Sequence, residues 1–295
     1  MIVDMHVHVG EVDKHFKKWW MTALQGGFLR SPDRTIRVVK NPVDKIISDL
    51  DECGVDKACV MGSDHRRPYP YDSLPSYTPN EYVAEVVREH PDRLLGVCSF
   101  DPIRSPYDAR VGLEKCVKEW DMRAVKLYPT DDHYYPTDEL VFPLYEKAIE
   151  LDIPVHFHMG YSSSVNAPMK YQIPWLLDEV GTRFPKLKVI VAHLGFPWID
   201  ECLCMIDRHK NFYGDIAYLG GLQPKVLLEA LEKFGYMVGF DRLLYGSDNA
   251  WTATYAKTLK NLNNTAEEKG FEKISDQDMK KILGENAKKL YKIKE

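Results

Sequence analysis

The chain is 295 residues long, 44% hydrophobic and 28% charged, with a formal net charge of -5 at pH 7. That length holds either two ordinary domains or one large α/β barrel, and the apolar content excludes wholesale disorder. The acidic balance argues against a nucleic-acid or anionic-membrane surface, and no apolar run approaches the ~20 residues that span a bilayer.

The opening MIVDMHVHVG has no basic stretch ahead of an apolar one, so it does not read as a secretory signal. From there, short β-rich runs alternate with amphipathic stretches. The predicted strands are 2–9, 57–62, 94–100, 124–128, 154–158, 188–193, 212–218 and 243–247. Asn41-Pro42 opens a helix carrying Ile46, Ile47 and Leu50 that stops at Gly54, the usual placing of proline inside a helix start and glycine past its end. Further helices are predicted to begin at Asn80, Ser105, Thr137, Tyr171, Pro197 and Leu222, and Ser275 caps a last one that runs through Tyr291. The cysteines Cys53, Cys59, Cys98, Cys116, Cys202 and Cys204 are scattered rather than arranged as a disulfide framework, so they read as reduced and structural and the expected location is cytoplasmic. The first four lie in apolar patterns and belong to the core. Cys202 and Cys204 fall on different faces of one helix.

Strands alternating with helices imply parallel βαβ units, and eight such units in one chain imply a (β/α)8 TIM barrel. The competing architecture is a doubly wound sheet, but no glycine-rich dinucleotide or phosphate loop follows any strand. With no Ser/Gly-rich linker, residues 1–295 read as a single domain with long loops after strands 1 and 2 (10–40 and 63–79) and a C-terminal helix. Loops of this length in an enzyme are usually lids or binding loops.

A barrel does its chemistry at the carboxyl ends of its strands. Read in order, those ends carry His6 and His8, Asp64, Asp101, Lys126, His156 and His158, His193, Asp215 and Asp248. Residues two apart on a strand share a side, so His6 and His8 both enter the barrel about 6.6 Å apart at Cα, close enough to share one cation. His158, at the end of strand 5 before Gly160, is the expected third nitrogen ligand. His156 lies one layer deeper, as either a hydrogen-bonded core histidine or a support for the ligands. His193 follows the apolar run VIVA and can take or give a proton near neutrality. Asp248, after LLYGS, needs a cation or hydrogen-bond donors if buried; it can complete a three-histidine, one-aspartate shell and accept a proton from metal-bound water.

The ordered set DMHVHVG, VKLYP, IPVHFHMG, VIVAHLGF, YGSDNAW and ILGENAKKLY resembles the amidohydrolase superfamily, and more narrowly its family-2 branch, which includes aminocarboxymuconate-semialdehyde decarboxylase. The resemblance covers nearly the whole chain. It implies a metal-centred barrel in which His6, His8, His158 and Asp248 hold the ion, and in which His193 is the acid/base or orients an attacking water. The first motif departs from the Glu-x-His of resorcylate-type decarboxylases. Branch members usually carry a less polar residue where His156 stands, so His156 inherits no role.

Lys126 leaves two arrangements open. It stands where two-metal amidohydrolases carry a carbamylated, bridging lysine, so it is a candidate ligand to a second ion; alternatively it pairs with a carboxylate such as Asp101. One divalent ion, zinc ahead of manganese, is the expectation.

The loop SDHRRPYPYD offers His65, Arg66 and Arg67, and arginine grips carboxylates in a bidentate fork, which suggests a small acidic substrate. Tyr128, Tyr161 and Trp198, with Trp19, Trp20 and Trp251, are candidates to wall a pocket for a flat ring. The leading expectation is hydrolysis of an ester, lactone or amide in a small cyclic or aromatic acid by a metal-activated water. The alternative is metal-dependent non-oxidative decarboxylation. A hydratase and a non-catalytic ligand-binding barrel stand behind both. A homodimer is compatible with the sequence but not specified by it.

Overall fold

The structure is a computed structural model that describes residues 1–11, 14–15, 42–66, 77–162, 167–219, 224–248, 259 and 261–294. Most of the loops after strands 1 and 2 lie outside those residues, as do Trp19, Trp20, Arg67 and Trp251. Eight strands form one sheet in chain order: β1 (Val3–His8), β2 (Lys57–Met61), β3 (Leu94–Ser99), β4 (Ala124–Leu127), β5 (Val155–Phe157), β6 (Val189–Val191), β7 (Phe212–Asp215) and β8 (Leu243–Leu244). Each pairs in parallel with the next. Backbone bonds from Met5 N to Tyr245 O (2.9 Å) and from Asp248 N to His6 O (2.8 Å) join the last strand's continuation to the first. The fold is the expected (β/α)8 barrel.

Helices α1 (Pro42–Cys53), α2 (Asn80–Glu89), α3 (Pro106–Trp120), α4 (Phe142–Glu150), α5 (Leu176–Arg183), α6 (Ile199–Arg208) and α7 (Pro224–Met237) alternate with the strands. The chain closes with α8 (Leu262–Lys269) and a C-terminal helix in which a π-turn over Lys281–Glu285 joins α9 (Asp276–Lys280) to α10 (Asn286–Leu290). Ser275 caps it, its hydroxyl accepting the N–H of Asp278 at 3.1 Å. Two helices start later than the sequence reading, α4 at Phe142 rather than Thr137 and α5 at Leu176 rather than Tyr171, each behind a separate 3-10 turn (Glu139–Val141 and Met169–Tyr171). No described helix is long and apolar enough to cross a membrane.

Two apolar layers build the core. Between barrel and helices pack residues such as Val60, Leu113, Phe157, Val191 and Leu231. Inside the barrel Val3, Met5, Cys59, Met61, Val97, Ile190 and Leu244 form an apolar floor against which the C-terminal Leu290, Tyr291 and Ile293 pack. Cys53, Cys59, Cys98, Cys116 and Cys202 are buried free thiols and Cys204 is exposed, as their patterns indicate.

Candidate metal centre

Strand β1 aims both of its histidines inward through a local irregularity. Val3 and Met5 belong to the barrel floor, so strict alternation would turn Asp4 and His6 outward. The register slips between Asp4 and Val7, and this bulge re-aims His6 and His8 to the same mouth. The Asp4 carboxylate fills the irregularity by accepting the backbone N–H of His6 at 3.1 Å. Gly246 lets β8 close against this point, since a Cβ there would lie 2.8 Å from the Cβ of His6.

His6, His8 and Asp248 bring one ligand atom each within 4.8 Å of one another. His8 Nε2 is 3.2 Å and His6 Nε2 3.7 Å from Asp248 Oδ1. His6 Nδ1 donates to Asp215 Oδ2 at 2.9 Å, so its Nε2 keeps the lone pair that faces the group. Lys126 Nζ stands 3.2 Å from that Nε2. Burial pushes the Lys126 ammonium down to about 8. Burial and the Lys126 charge hold His6 well below the usual histidine range. Burial raises Asp248, but His6, His8 and His193 outweigh it and keep it a carboxylate. Neutral imidazoles beside an ionised carboxylate are the donor set a divalent ion requires.

His158 sits beside this group rather than in it. Its ring centroid is 5.0 Å from that of His193, and its Nε2 is buried with no hydrogen-bond partner. An unpartnered buried nitrogen is costly unless a ligand takes it, so the residues present fit a metal ion. His193 is buried and turns its Nδ1 to Ala217 O at 3.1 Å, which leaves Nε2 for the pocket. His193, Tyr218 and Asp248 all have positive φ (58°, 70° and 58°). Non-glycine residues rarely adopt this backbone, and it clusters at functional sites.

A second group, His6, His193 and Asp215, also lies close together. Asp215 is not a free ligand there. Its Oδ1 accepts the backbone N–H groups of His193 (3.0 Å) and Ala217 (2.9 Å), and its Oδ2 accepts His6 Nδ1 and, at 2.7 Å, His156 Nε2. Burial would raise it, but His6 and His156 hold it far below the ordinary carboxylate range. Sequence reasoning placed Asp215 at a strand end without giving it work. The signal was a carboxylate closing an otherwise apolar strand.

The pocket wall is partly as expected. Tyr128 is buried, donates its hydroxyl to Gly62 O at 2.9 Å, and sets its ring 6.3 Å from His8 and 6.2 Å from His158. Tyr218, which sequence reasoning missed, lies 6.0 Å from His193. Tyr161 is exposed, and its backbone N–H reaches Phe196 O. Gly160 allows that approach, because a Cβ at its φ of +98° would meet Phe196 O at 2.6 Å. Trp198 stands at the N-terminus of α6 and makes no ring contact with the site histidines among the described residues. Arg66 is committed elsewhere. Its Nε and one Nη donate to Asp64 at 2.6 and 2.8 Å, and its guanidinium lies 3.7 Å from the Tyr77 ring centre. The fork expected to grip substrate is filled by a neighbour in the protein. Its companion Arg67 lies outside the described residues.

Known proteins match this architecture. The amidohydrolase family model matches residues 69–293. A γ-resorcylate decarboxylase from Polaromonas sp. strain JS666 is 24% identical over 260 residues, covering 72% of this chain and 75% of that one. A 2-amino-3-carboxymuconate-6-semialdehyde decarboxylase from Dictyostelium discoideum is 26% identical over 136 residues, 40% of this chain and 38% of its own length. The solved 5-carboxyvanillate decarboxylase of Novosphingobium aromaticivorans, complexed with manganese and 4-hydroxy-3-methoxy-5-nitrobenzoic acid, superposes with a TM-score of 0.68 at 15% identity, covering 99% of this chain and 96% of that one.

Proposed function

The chain belongs to the amidohydrolase family and is an enzyme of its metal-dependent type, and from that premise we propose that it catalyses non-oxidative decarboxylation of a small aromatic or enolic carboxylic acid. This replaces the hydrolysis expected first from sequence, which has support only at the level of the superfamily. The observation that carries the proposal is likeness to decarboxylases in both comparisons, over 72% of the chain in the longer sequence match. The His-x-His of β1, a departure from the resorcylate-type motif, does not separate the chain from that relative over the rest of its length.

His6, His8 and Asp248 would hold one divalent ion, with His158 as the added nitrogen ligand and zinc or manganese both suited to the set. When bound, such an ion supplies the positive charge that grips the substrate's oxygens and stabilises the negative charge left by carbon dioxide. The bond between the ring carbon and its carboxylate breaks, the electron pair stays on that carbon, and a proton must replace the lost group. His193 would deliver it: its Nδ1 donates to Ala217 O, which leaves Nε2 to carry the proton on the pocket side. Tyr128 and Tyr218 offer ring surfaces against which a flat acid stacks. Lys126, buried beside His6, adds positive charge on the same side.

The test is product analysis. Zinc- and manganese-loaded enzyme is incubated with 2,6-dihydroxybenzoate, 5-carboxyvanillate and related acids, and with lactone and anilide substrates. Carbon dioxide released in step with loss of an acid supports the proposal. Turnover confined to the lactones or anilides, with no carbon dioxide, sinks it and restores the hydrolase.

A further inference from the structure

We infer that His156 is a positioning residue for the metal centre, acting through the Asp215 carboxylate to fix the ring of His6. The inference rests on the metal reading above and extends it to a residue that lies one layer beneath the ligands.

His156 is fully buried on β5, between the apolar Val155 and Phe157, with Lys126 and Ile190 as its strand partners. Its Nε2 donates to Asp215 Oδ2 at 2.7 Å, while its Nδ1 is buried with no hydrogen-bond partner. A leucine or phenylalanine would fill this space without stranding an acceptor, so packing alone does not account for an imidazole here. What the imidazole supplies is the Nε2–H.

That donor has a specific place. Asp215 takes four N–H groups, two on each oxygen. The Oδ1 pair is backbone and ties the carboxylate to the turn after β6 and the end of β7. On Oδ2 the His156 bond is shorter than the 2.9 Å bond from His6. With His156 present, Oδ2 is held where His6 Nδ1–H must meet it. His6 is thereby kept in the tautomer whose Nε2 lone pair meets Lys126 Nζ at 3.2 Å, on the side of His8 and Asp248. The His156 ring also packs edge-on against the His6 ring, centroids 4.8 Å apart at 70°, which blocks rotation of the ligand. One side chain therefore restrains both the acceptor and the ring that the acceptor orients. Groups that hold metal-bound histidines in this way typically change metal affinity ~10–100-fold when removed.

The test compares His156→Leu, which removes the donor, with His156→Gln, which keeps an N–H in its place. Zinc affinity is measured by competition with a chromogenic chelator. The His6 tautomer is read in metal-free, histidine-labelled protein from two-bond 15N–1H correlations. The expected result is a ~10–100-fold loss of zinc affinity in His156→Leu, mixed His6 tautomers in its metal-free spectra, and recovery of most of both in His156→Gln. Zinc affinity within twofold of wild type together with an unchanged Nδ1–H tautomer in His156→Leu overturns the inference. So does a Gln variant as impaired as the Leu variant. If His156→Leu does not fold, His156→Phe takes its place in the same comparison. Wild-type protein that binds no zinc would defeat the metal reading, and the metal-free spectra would still decide whether His156 sets the His6 tautomer.

Discussion

Asp4 Oδ1 accepts the backbone N–H of Ser247 at 2.9 Å, a contact between residues 243 positions apart. The same oxygen accepts the N–H of His6. One carboxylate thus closes the seam between the first and last strands and holds the segments that carry His6 and Asp248.

Removing that acceptor should loosen both segments. In Asp4→Ala two buried N–H groups lose their partner, at about 1–3 kcal/mol for each group left unsatisfied. Thermal unfolding should shift down clearly, and metal affinity should fall with it. Burial pushes the Asp4 carboxyl up to about 7, so a neutral side chain with the same oxygen is well tolerated there. Asp4→Asn should therefore unfold close to wild type. An Asn variant as unstable as the Ala variant would show that charge, not the acceptor, is what matters.

His158 and His193 should fail differently. His158→Ala removes the unpartnered nitrogen assigned to the ion and should lose most of the roughly one equivalent of metal expected per chain. His193→Asn should keep that metal and lose rate, by ~10²–10⁴-fold if its role is proton transfer. Elemental analysis of the purified variants checks this. Equal metal loss in both would put His193 in the coordination shell and move proton transfer to Asp248.

Arg66 should matter for structure more than for substrate. Its fork is on Asp64, and Arg104 also reaches that carboxylate at 2.9 Å. Both arginines are about one-third exposed, so solvent screens their charges and each single loss should be small. Arg66→Met should change KM for an acidic substrate less than twofold. The double variant Arg66→Met with Arg104→Met strands buried Asp64 and should lower the melting temperature by more than the two singles combined. A tenfold rise in KM in Arg66→Met alone would return Arg66 to the substrate site.

His65 should titrate late. Its Nδ1 lies 2.8 Å from buried Asp132. Burial disfavours the imidazolium, but Asp132, with Asp131 and Asp64, outweighs it and raises His65 from 6.5 to about 9, while burial pushes the Asp132 carboxyl itself up to about 7, so the pair shares a proton over this range. A histidine raised on folding stabilises fully below its unfolded value and loses that contribution as pH climbs through the folded one. Between pH 6.5 and 9 this pair should therefore weaken, and stability should decline with it. NMR titration of the His65 ring should give a midpoint well above that of an exposed histidine, and Asp132→Asn should bring it down to the ordinary range or below it, since burial then faces little opposition. A midpoint at or below 6.5 in the unaltered protein would show that the carboxylates do not outweigh burial.

Much of this protein was legible in the chain alone, because the informative quantities are local. Alternation of apolar runs with amphipathic stretches needs only neighbouring residues to be read, and all eight predicted strands are present. A polar residue closing an apolar strand is equally local, so His6, His8, His158, His193 and Asp248 could be placed at one mouth before any contact was known. What the tertiary structure decided depends on partners far away in sequence. His6 meets Asp215 across 209 positions, and only closure of the barrel brings them together. The slip between Asp4 and Val7 turns the side chains of β1, and the periodicity of that segment does not announce it. Strand β8 was expected to run to Ser247 but pairs only over Leu243–Leu244, because beyond it Asp4 and the His6 carbonyl take the N–H groups of Ser247 and Asp248. Arg66 looked like a free fork because a sequence displays charge but not which carboxylate folds against it. A hydrogen bond depends on distance and angle between groups that the chain brings together only once it is folded.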